Sequence, residues 1–138
     1  TFCAEGILLY YNTRNCEYMI AANELRMGNW VKDSLGYLVI GVNAKVEFAS
    51  AYEPIPLTPE ILEKCGFEKE LFEMSGCEVW HVPNTLWRIA RSYRDENEYK
   101  LWHERISPPT WNLKTLKYLH ELQNIIFALT NEELNYTP

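Results

Sequence analysis

The sequence predicts an α+β fold: a small curled antiparallel sheet, or an SH3-like barrel if it closes, with one middle helix and one C-terminal helix. Three observations predict it. Short β-rich runs alternate with tight-turn residues from Asn23 to Ser50 and again from Cys77 to Ile106. The stretch "PIPLTPEILEKCGF" carries both a helix start and a helix stop. The last residues change to helical spacing of Leu and Ile. Residues 19–138 are read as one such domain, and residues 1–18 as an N-terminal hairpin or extension.

In chain order, "GILLYY", "NTRN" and "CEYMI" read as strand, turn and strand. A hairpin this short is marginal alone and must pack on the rest. In "ELRMGNWVKDSLGYLVIGV", Leu25, Met27 and Trp30 surround Gly28-Asn29, a bend or bulge. "DSLG" then turns the chain into "YLVIGV". "AKVEFASA" is expected to continue as a strand with Val46 and Phe48 on one face.

The middle helix is punctuated at both ends. Thr58 is an N-cap, Pro59 occupies the first helical position, Glu60 faces the positive end of the dipole, and Gly66 ends the helix. Ile61, Leu62 and Cys65 form its inward stripe, with Leu57 and Phe67 clamping the ends. "CEVWHV", "TLWRIARSY" and "YKLWHERI" follow as strands, the last two joined by the polar turn "RDENE". "SPP" breaks the chain. Residues 112–118 fit a strand or the start of one long helix. From Leu119 to about Leu129 the helix reading wins, with Leu119, Leu122, Ile126 and Leu129 on one face and Ile125 beside them.

A hydrophobic fraction of 47% with 23% charged residues is globular composition, and five Trp, nine Tyr and five Phe can fill a core without staples. Cys3, Cys16, Cys65 and Cys77 form no CxxC pair and have no zinc-type His spacing, which favours reduced thiols in a cytoplasmic protein. A Cys3–Cys16 disulfide across the first hairpin stays open. No signal peptide and no apolar run of about 20 residues is visible, so no membrane partner is expected.

Charge is uneven. Residues 1–79 hold 6 Lys/Arg against 12 Asp/Glu, residues 80–117 hold 7 against 4, and residues 118–138 hold none against 3. An acidic body with one mildly basic segment lacks the broad positive field of a DNA-coating protein. A local contact with an anionic partner remains compatible with it.

Three groups of residues invite a functional reading. In "YLHELQNIIFALTNEEL", His120, Gln123 and Asn124 share a helix side and could form a polar patch or make His120 a general base. No nucleophile stands at an interpretable spacing, so the favoured reading is structural: His120 caps the helix, and the amides satisfy neighbouring backbone. Thr130 and Glu133 of "TNEE" match a capping box. His81 and His103, with Cys77, offer only a thin case for a metal. Neither a metal nor a cofactor is expected.

The third group is aromatic and basic. Trp80, Trp87, Tyr93, Tyr99, Trp102 and Trp111 interleave with Arg88, Arg91, Arg94, Lys100 and Arg105. Such rings can stack on unpaired bases while the cations hold phosphates. The same residue types make protein-binding hot spots. The plainer alternative, favoured for most of them, is a two-sided sheet with Trp87, Ile89 and Leu101 inward and a solvated basic rim. This stretch is the expected partner-binding region. No phosphate-binding Gly loop, GxSxG, HExxH or dinucleotide fingerprint occurs in the chain.

Three blocks, "NELRMGNWV", "PIPLTPEILEKCGF" and "YLHELQNIIFALTNEEL", resemble in order a family of small proteins encoded in bacterial genomes and often in prophages. Members typically show an NELRIGN-like start, a PIPLTEE-like helix start and a VHQLQNLYFALTGEEL-like end. The resemblance implies fold and genomic context rather than chemistry. It also implies a start near Met19, and it shows Asn131 where Gly is usual. Asn tolerates the same left-handed backbone. The expected function is thus a non-catalytic phage-type accessory protein, an inhibitor or adaptor (anti-defence-like) acting on a host protein or ribonucleoprotein. A small module binding RNA or single-stranded nucleic acid is the second expectation, and an enzyme using His120 or His81 the third.

Overall fold

The structure, a computed structural model, describes residues 19–71, 76–105 and 115–138. The N-terminal hairpin expectation, with Cys3, Cys16 and Trp111, lies outside the described residues. The fold is α+β, with a two-stranded sheet, a five-stranded antiparallel sheet and a C-terminal helix. No closed barrel forms among the described strands. The chain gathers into two compact units, one ending at Ile55 and one beginning at Pro56.

The first unit is organised around a buried amide. Gly28 takes φ 92, a left-handed value that glycine reaches without a Cβ clash. The Asn29 side chain turns inward, and its Oδ1 accepts the Arg26 N–H at 2.7 Å. This closes the bend expected from "RMGN" and launches β1 (Trp30–Asp33). A two-residue turn leads to β2 (Gly36–Val39), with Asp33 Oδ1 accepting the N–H groups of Leu35 and Gly36 at 2.8 and 3.1 Å.

Register places Val31 opposite Leu38 on the inner face. There the cluster of Ile20, Leu25, Val31, Ile40, Ala44 and Ala49 forms the core. The outer edge of β1 pairs through Lys32 with Glu53. Beyond β2, the Val39 N–H donates to Asn43 Oδ1 at 2.7 Å, so a side chain closes that end of the edge.

One expectation is corrected here. Val46–Ala51 is a 3-10 helix, not a strand. Its contacts follow a period of three: Val46 and Tyr52 pack on the core and Ala49 is buried within it. Phe48 falls off that stripe and is 55% exposed.

The second unit opens with α1 (Pro59–Lys64), whose ends match the sequence signals. Thr58 Oγ1 accepts the Ile61 N–H at 3.2 Å. At the other end Phe67 N–H reaches Leu62 O, Gly66 N–H reaches Glu63 O, and Gly66 has φ 87, a Schellman stop. Leu57, Ile61, Leu62, Cys65 and Phe67 are all buried.

The five-stranded sheet runs β3 (Glu68–Lys69), β4 (Cys77–His81), β5 (Trp87–Ser92), β6 (Tyr99–His103) and β7 (Thr115–Leu116) in sequence order. Trp80, Ile89 and Leu101 stand opposite one another, as do Glu78, Arg91, Tyr99 and Leu116. Cross-strand partners share a face, so these seven lie on one side. Val79, Ala90 and Trp102 form a buried cluster on the other. The ladder is therefore covered on both sides at its centre.

Thr115–Leu116 settles the open reading of residues 112–118 in favour of a strand where it is described. The C-terminal helix α2 (Leu119–Thr130) follows at once. Its cap is Glu121, whose Oε1 accepts the N–H groups of Lys117 and Tyr118 at 3.0 and 3.1 Å, in place of the expected His120.

The buried ridge is Leu119, Leu122, Gln123 and Ile126, a 3–4 spacing. Leu129 lies off its centre line and is 43% exposed, against expectation. The Thr130–Glu133 capping box does not form, because the helix ends here instead of beginning. Thr130 Oγ1 donates to Ile126 O at 2.7 Å and accepts the Glu132 N–H at 3.2 Å. Asn131 adopts φ 58, ψ 23, the left-handed stop for which glycine is the commoner choice.

That stop is testable. Asn131→Gly should leave the urea midpoint unchanged, whereas Asn131→Val should cost roughly 1–2 kcal/mol through left-handed strain. Equal stability of the two variants would show that the turn does not need this backbone.

Candidate functional site

Strand register decides which of the aromatic and basic residues can meet a partner. Trp80, Tyr99 and Trp102 are 1%, 0% and 5% exposed, so they belong to the core and cannot stack on a base. Trp80 and Tyr99 pack with ring centroids 6.0 Å apart. The expectation of an open aromatic platform is corrected to that extent. Trp87 lies on the face of Ile89 and Leu101, as expected, but is only half-buried because it opens β5.

Two of the five cations, Arg88 and Arg91, are held in ion pairs. Arg88 bridges Glu70 at 2.9 Å and Glu104 at 3.3 Å. Glu70 holds His81 as well, at 2.8 Å. Arg91 pairs with Glu78 at 2.7 Å, and Lys69 approaches the same carboxylate at 3.6 Å. Burial works against the Arg91 charge, but the Glu78 hydrogen bond and the surrounding field of Tyr99, Glu78 and Glu96 outweigh it and raise its pKa. Burial, aided by Glu78 and Glu60 and opposed by Arg91, pushes the Tyr99 phenol up.

What stays exposed is narrower. Tyr93, Arg94 and Arg105 are open to solvent and Lys100 is half-buried. At the other end of β5 from Tyr93 and Arg94, near Arg105, the rings of Trp87 and His103 meet edge to face at 4.9 Å. With Asn84, Thr85, Leu86 and Thr130 they line a cleft of about 540 Å³. The Arg105 N–H donates to His103 Nδ1 at 3.2 Å, so in the neutral ring the proton sits on Nε2. On the other sheet face, Cys77, Ala90, Ser92, Asp95, Glu98 and Lys100 line a second cavity of about 310 Å³.

The histidines do not converge. His81 stands opposite Arg88 and His103 opposite Trp87, so the two imidazoles leave the sheet on opposite faces. Cys77 and His81 are separated by four residues of strand, about 13 Å. Among the described residues no three His, Cys, Asp or Glu side chains are placed to hold a metal ion. His120 and Gln123 are fully buried, and the Tyr118 ring stacks on His120 at 6.0 Å and 12°. Asn124 beside them is half-buried.

Sequence reasoning missed Asn84, Thr85, Leu86 and Thr130 as cleft residues. The only local sign was the turn-like "PNT" at Pro83–Thr85. It also gave no sign that Met27, Leu35, Tyr37, Val42 and Phe48 of the first unit are exposed. No helix among the described residues is long and apolar enough to cross a membrane. No protein-family model, curated protein or solved structure matches the chain.

Two measurements probe this arrangement. Burial pushes the Cys65 thiol from 9.0 up to about 12, so the folded state keeps the proton longer than the unfolded chain does. That contribution is complete below pH 9 and is lost as pH rises toward 12. Thermal melts should therefore fall more steeply over this window for the native protein than for Cys65→Ala. Parallel curves would refute the burial effect. Second, Glu78→Leu alone should cost about 3 kcal/mol by stranding Arg91, while Glu78→Leu with Arg91→Leu should recover most of that loss. Additive losses would mean that the two charges act independently.

Proposed function

We propose that this chain is a non-catalytic binding protein whose partner is another protein. The observation that carries the reading is the pairing of charge across the sheet. Arg88, Arg91, Lys69 and Lys117 each face a carboxylate within 4 Å, while the Trp87–His103 cleft and Tyr93 stay accessible. Cations neutralised in place contribute little to a polyanion, whose binding depends on displacing its counterions. An accessible Trp beside an exposed Leu, as at Trp87 and Leu86, suits a protein contact. The resemblance of the three sequence blocks to prophage-encoded proteins gives the finer form: a cytoplasmic inhibitor or adaptor acting on a host protein or ribonucleoprotein.

Affinity capture from bacterial lysate, with and without nuclease, tests this. A captured protein should survive nuclease and lose less than about tenfold in affinity between 50 and 200 mM salt, against the 10³–10⁵ typical of multiple phosphate contacts. Tyr93→Ala with Arg105→Ala should weaken it. Recovery of nucleic acid alone, with steep salt dependence, would replace this reading with direct RNA or single-stranded DNA binding.

A further inference from the structure

We infer that the cavity lined by Cys77, Ala90, Ser92 and Lys100 binds a free α-amino acid with an apolar side chain, its carboxylate on Lys100 and its ammonium beside Asp95 and Glu98. This goes beyond the reading of a protein partner, and the cavity shares no residue with the Trp87–His103 cleft.

The hollow follows from the side chains that the central strand presents. Cys77 stands opposite Ser92, and Ala90 stands between Val79 and Lys100. Cross-strand partners share a face, so β5 contributes two small side chains, Ala90 and Ser92, to the middle of this one. The longer Val79 and Lys100 rise on either side of Ala90, and the centre of the face is sunk between them. Ala90 and Ser92 are then the floor, Cys77 one wall and Lys100 with Glu98 the other, and Asp95 closes the end at the β5–β6 turn. Cys77 packs on the buried cluster of Val79, Ala90 and Trp102, which makes its side of the hollow apolar. A volume of about 310 Å³ stands at the small end of the roughly 300–1,000 Å³ range of ligand sites, which suits a molecule of amino-acid size.

The charges around the hollow are what select the ligand. Lys100 is half-buried, and among the described residues no carboxylate forms an ion pair with it. Asp95 Oδ1 accepts the Asn97 N–H at 3.3 Å, and among the described residues no cation pairs with it. Glu98, two residues before Lys100, approaches Lys117 at 3.6 Å instead. One cavity therefore carries an uncommitted charge of each sign. A simple anion would meet Asp95 and Glu98, a simple cation would meet Lys100, and a neutral apolar molecule would answer neither. A zwitterion answers both, because pairing with an ionised group gives the stronger class of hydrogen bond at each end. Its apolar side chain then has the Ala90 floor and the Cys77 wall to cover.

Isothermal titration of the full chain with L-leucine and L-phenylalanine tests this. The better of the two is compared with its primary amide, which lacks the carboxylate, and with its deaminated acid, which lacks the ammonium. The amino acid should bind, and each analogue should bind at least about tenfold more weakly, the loss expected for one hydrogen bond to a charged group. Lys100→Met should weaken the amino acid by about tenfold and bring it level with its amide. Asp95→Asn keeps an acceptor for the Asn97 N–H and should narrow the advantage over the deaminated acid. Lys100 has no ion pair to break and Asp95 is exposed, so neither result depends on a damaged fold. The bound amino acid should also protect Cys77 from iodoacetamide, read by mass spectrometry of the Cys77 peptide, while Tyr93→Ala with Arg105→Ala leaves its affinity unchanged. Binding of neither amino acid at about 10 mM, equal affinity for an amino acid and its amide, or indifference to Lys100→Met overturns the site.

Discussion

The pairing of β4, β5 and β6 is the constraint on which the second unit depends. With Trp80 opposite Ile89 and Leu101, three large side chains meet on one face, while Val79, Ala90 and Trp102 meet on the other. A shift of one residue in β5 would exchange its inward and outward sets and bring Arg88 and Ala90 to the positions of Ile89 and Arg91. Burial on both faces makes that slip costly in both directions. The same register aligns charges: Glu78 lies directly opposite Arg91, while His81 lies opposite Arg88 and Glu70 joins the two. Hydrophobic packing and charge pairing therefore specify one alignment, which is the consistency expected of a sequence that folds to a single structure.

That agreement also explains why the basic aromatic stretch promised more than it holds. Interleaved Trp, Tyr and Arg look like an open platform when only the chain is visible. Whether a ring is available depends on what covers its face, and a strand buried on both sides hides consecutive residues such as Leu101 and Trp102. The partners of the arginines come from elsewhere in the chain: Glu70 for Arg88, Glu78 for Arg91 and Glu104 for Arg88 again. No local pattern announces such pairs. The half-buried Trp87 escapes because it opens β5, where the neighbouring turn leaves one side of its ring near the cleft.

Signals that act within a few residues were legible. The helix from Thr58 to Gly66, the start of α2 at Leu119 and the left-handed Asn131 all follow from backbone rules that need no distant partner. The strands from Cys77 to His103 and the polar turn between β5 and β6 were equally readable from alternation. Errors came where two local rules competed. "AKVEFASA" alternates well enough for a strand, yet Val46, Ala49 and the following Tyr52, three apart, suit a tight helix once Ala49 finds the core. "TNEE" has the composition of a helix start, but the preceding ridge had already carried the helix to Thr130. In both cases tertiary packing chose between local options of similar free energy.

The remaining surface suggests how recognition would proceed. Residues 56–138 hold nine Lys/Arg against thirteen Asp/Glu, and much of the positive charge is paired within the sheet. Such a surface projects little positive field beyond a Debye length, so it would not steer a polyanion from afar. Association would run at the slower rates set by orienting two patches correctly. Discrimination must then come at short range, from shape at Trp87 and Leu86 and from the direction of a few hydrogen bonds. His103 is suited to that task because the Arg105 backbone N–H determines which of its nitrogens carries the proton in the neutral ring. Ion pairs from Lys69, Arg88 and Arg91 thus help to hold the strands together, and on the proposed reading selectivity would fall to the surface at Trp87 and His103 that the same strands fix.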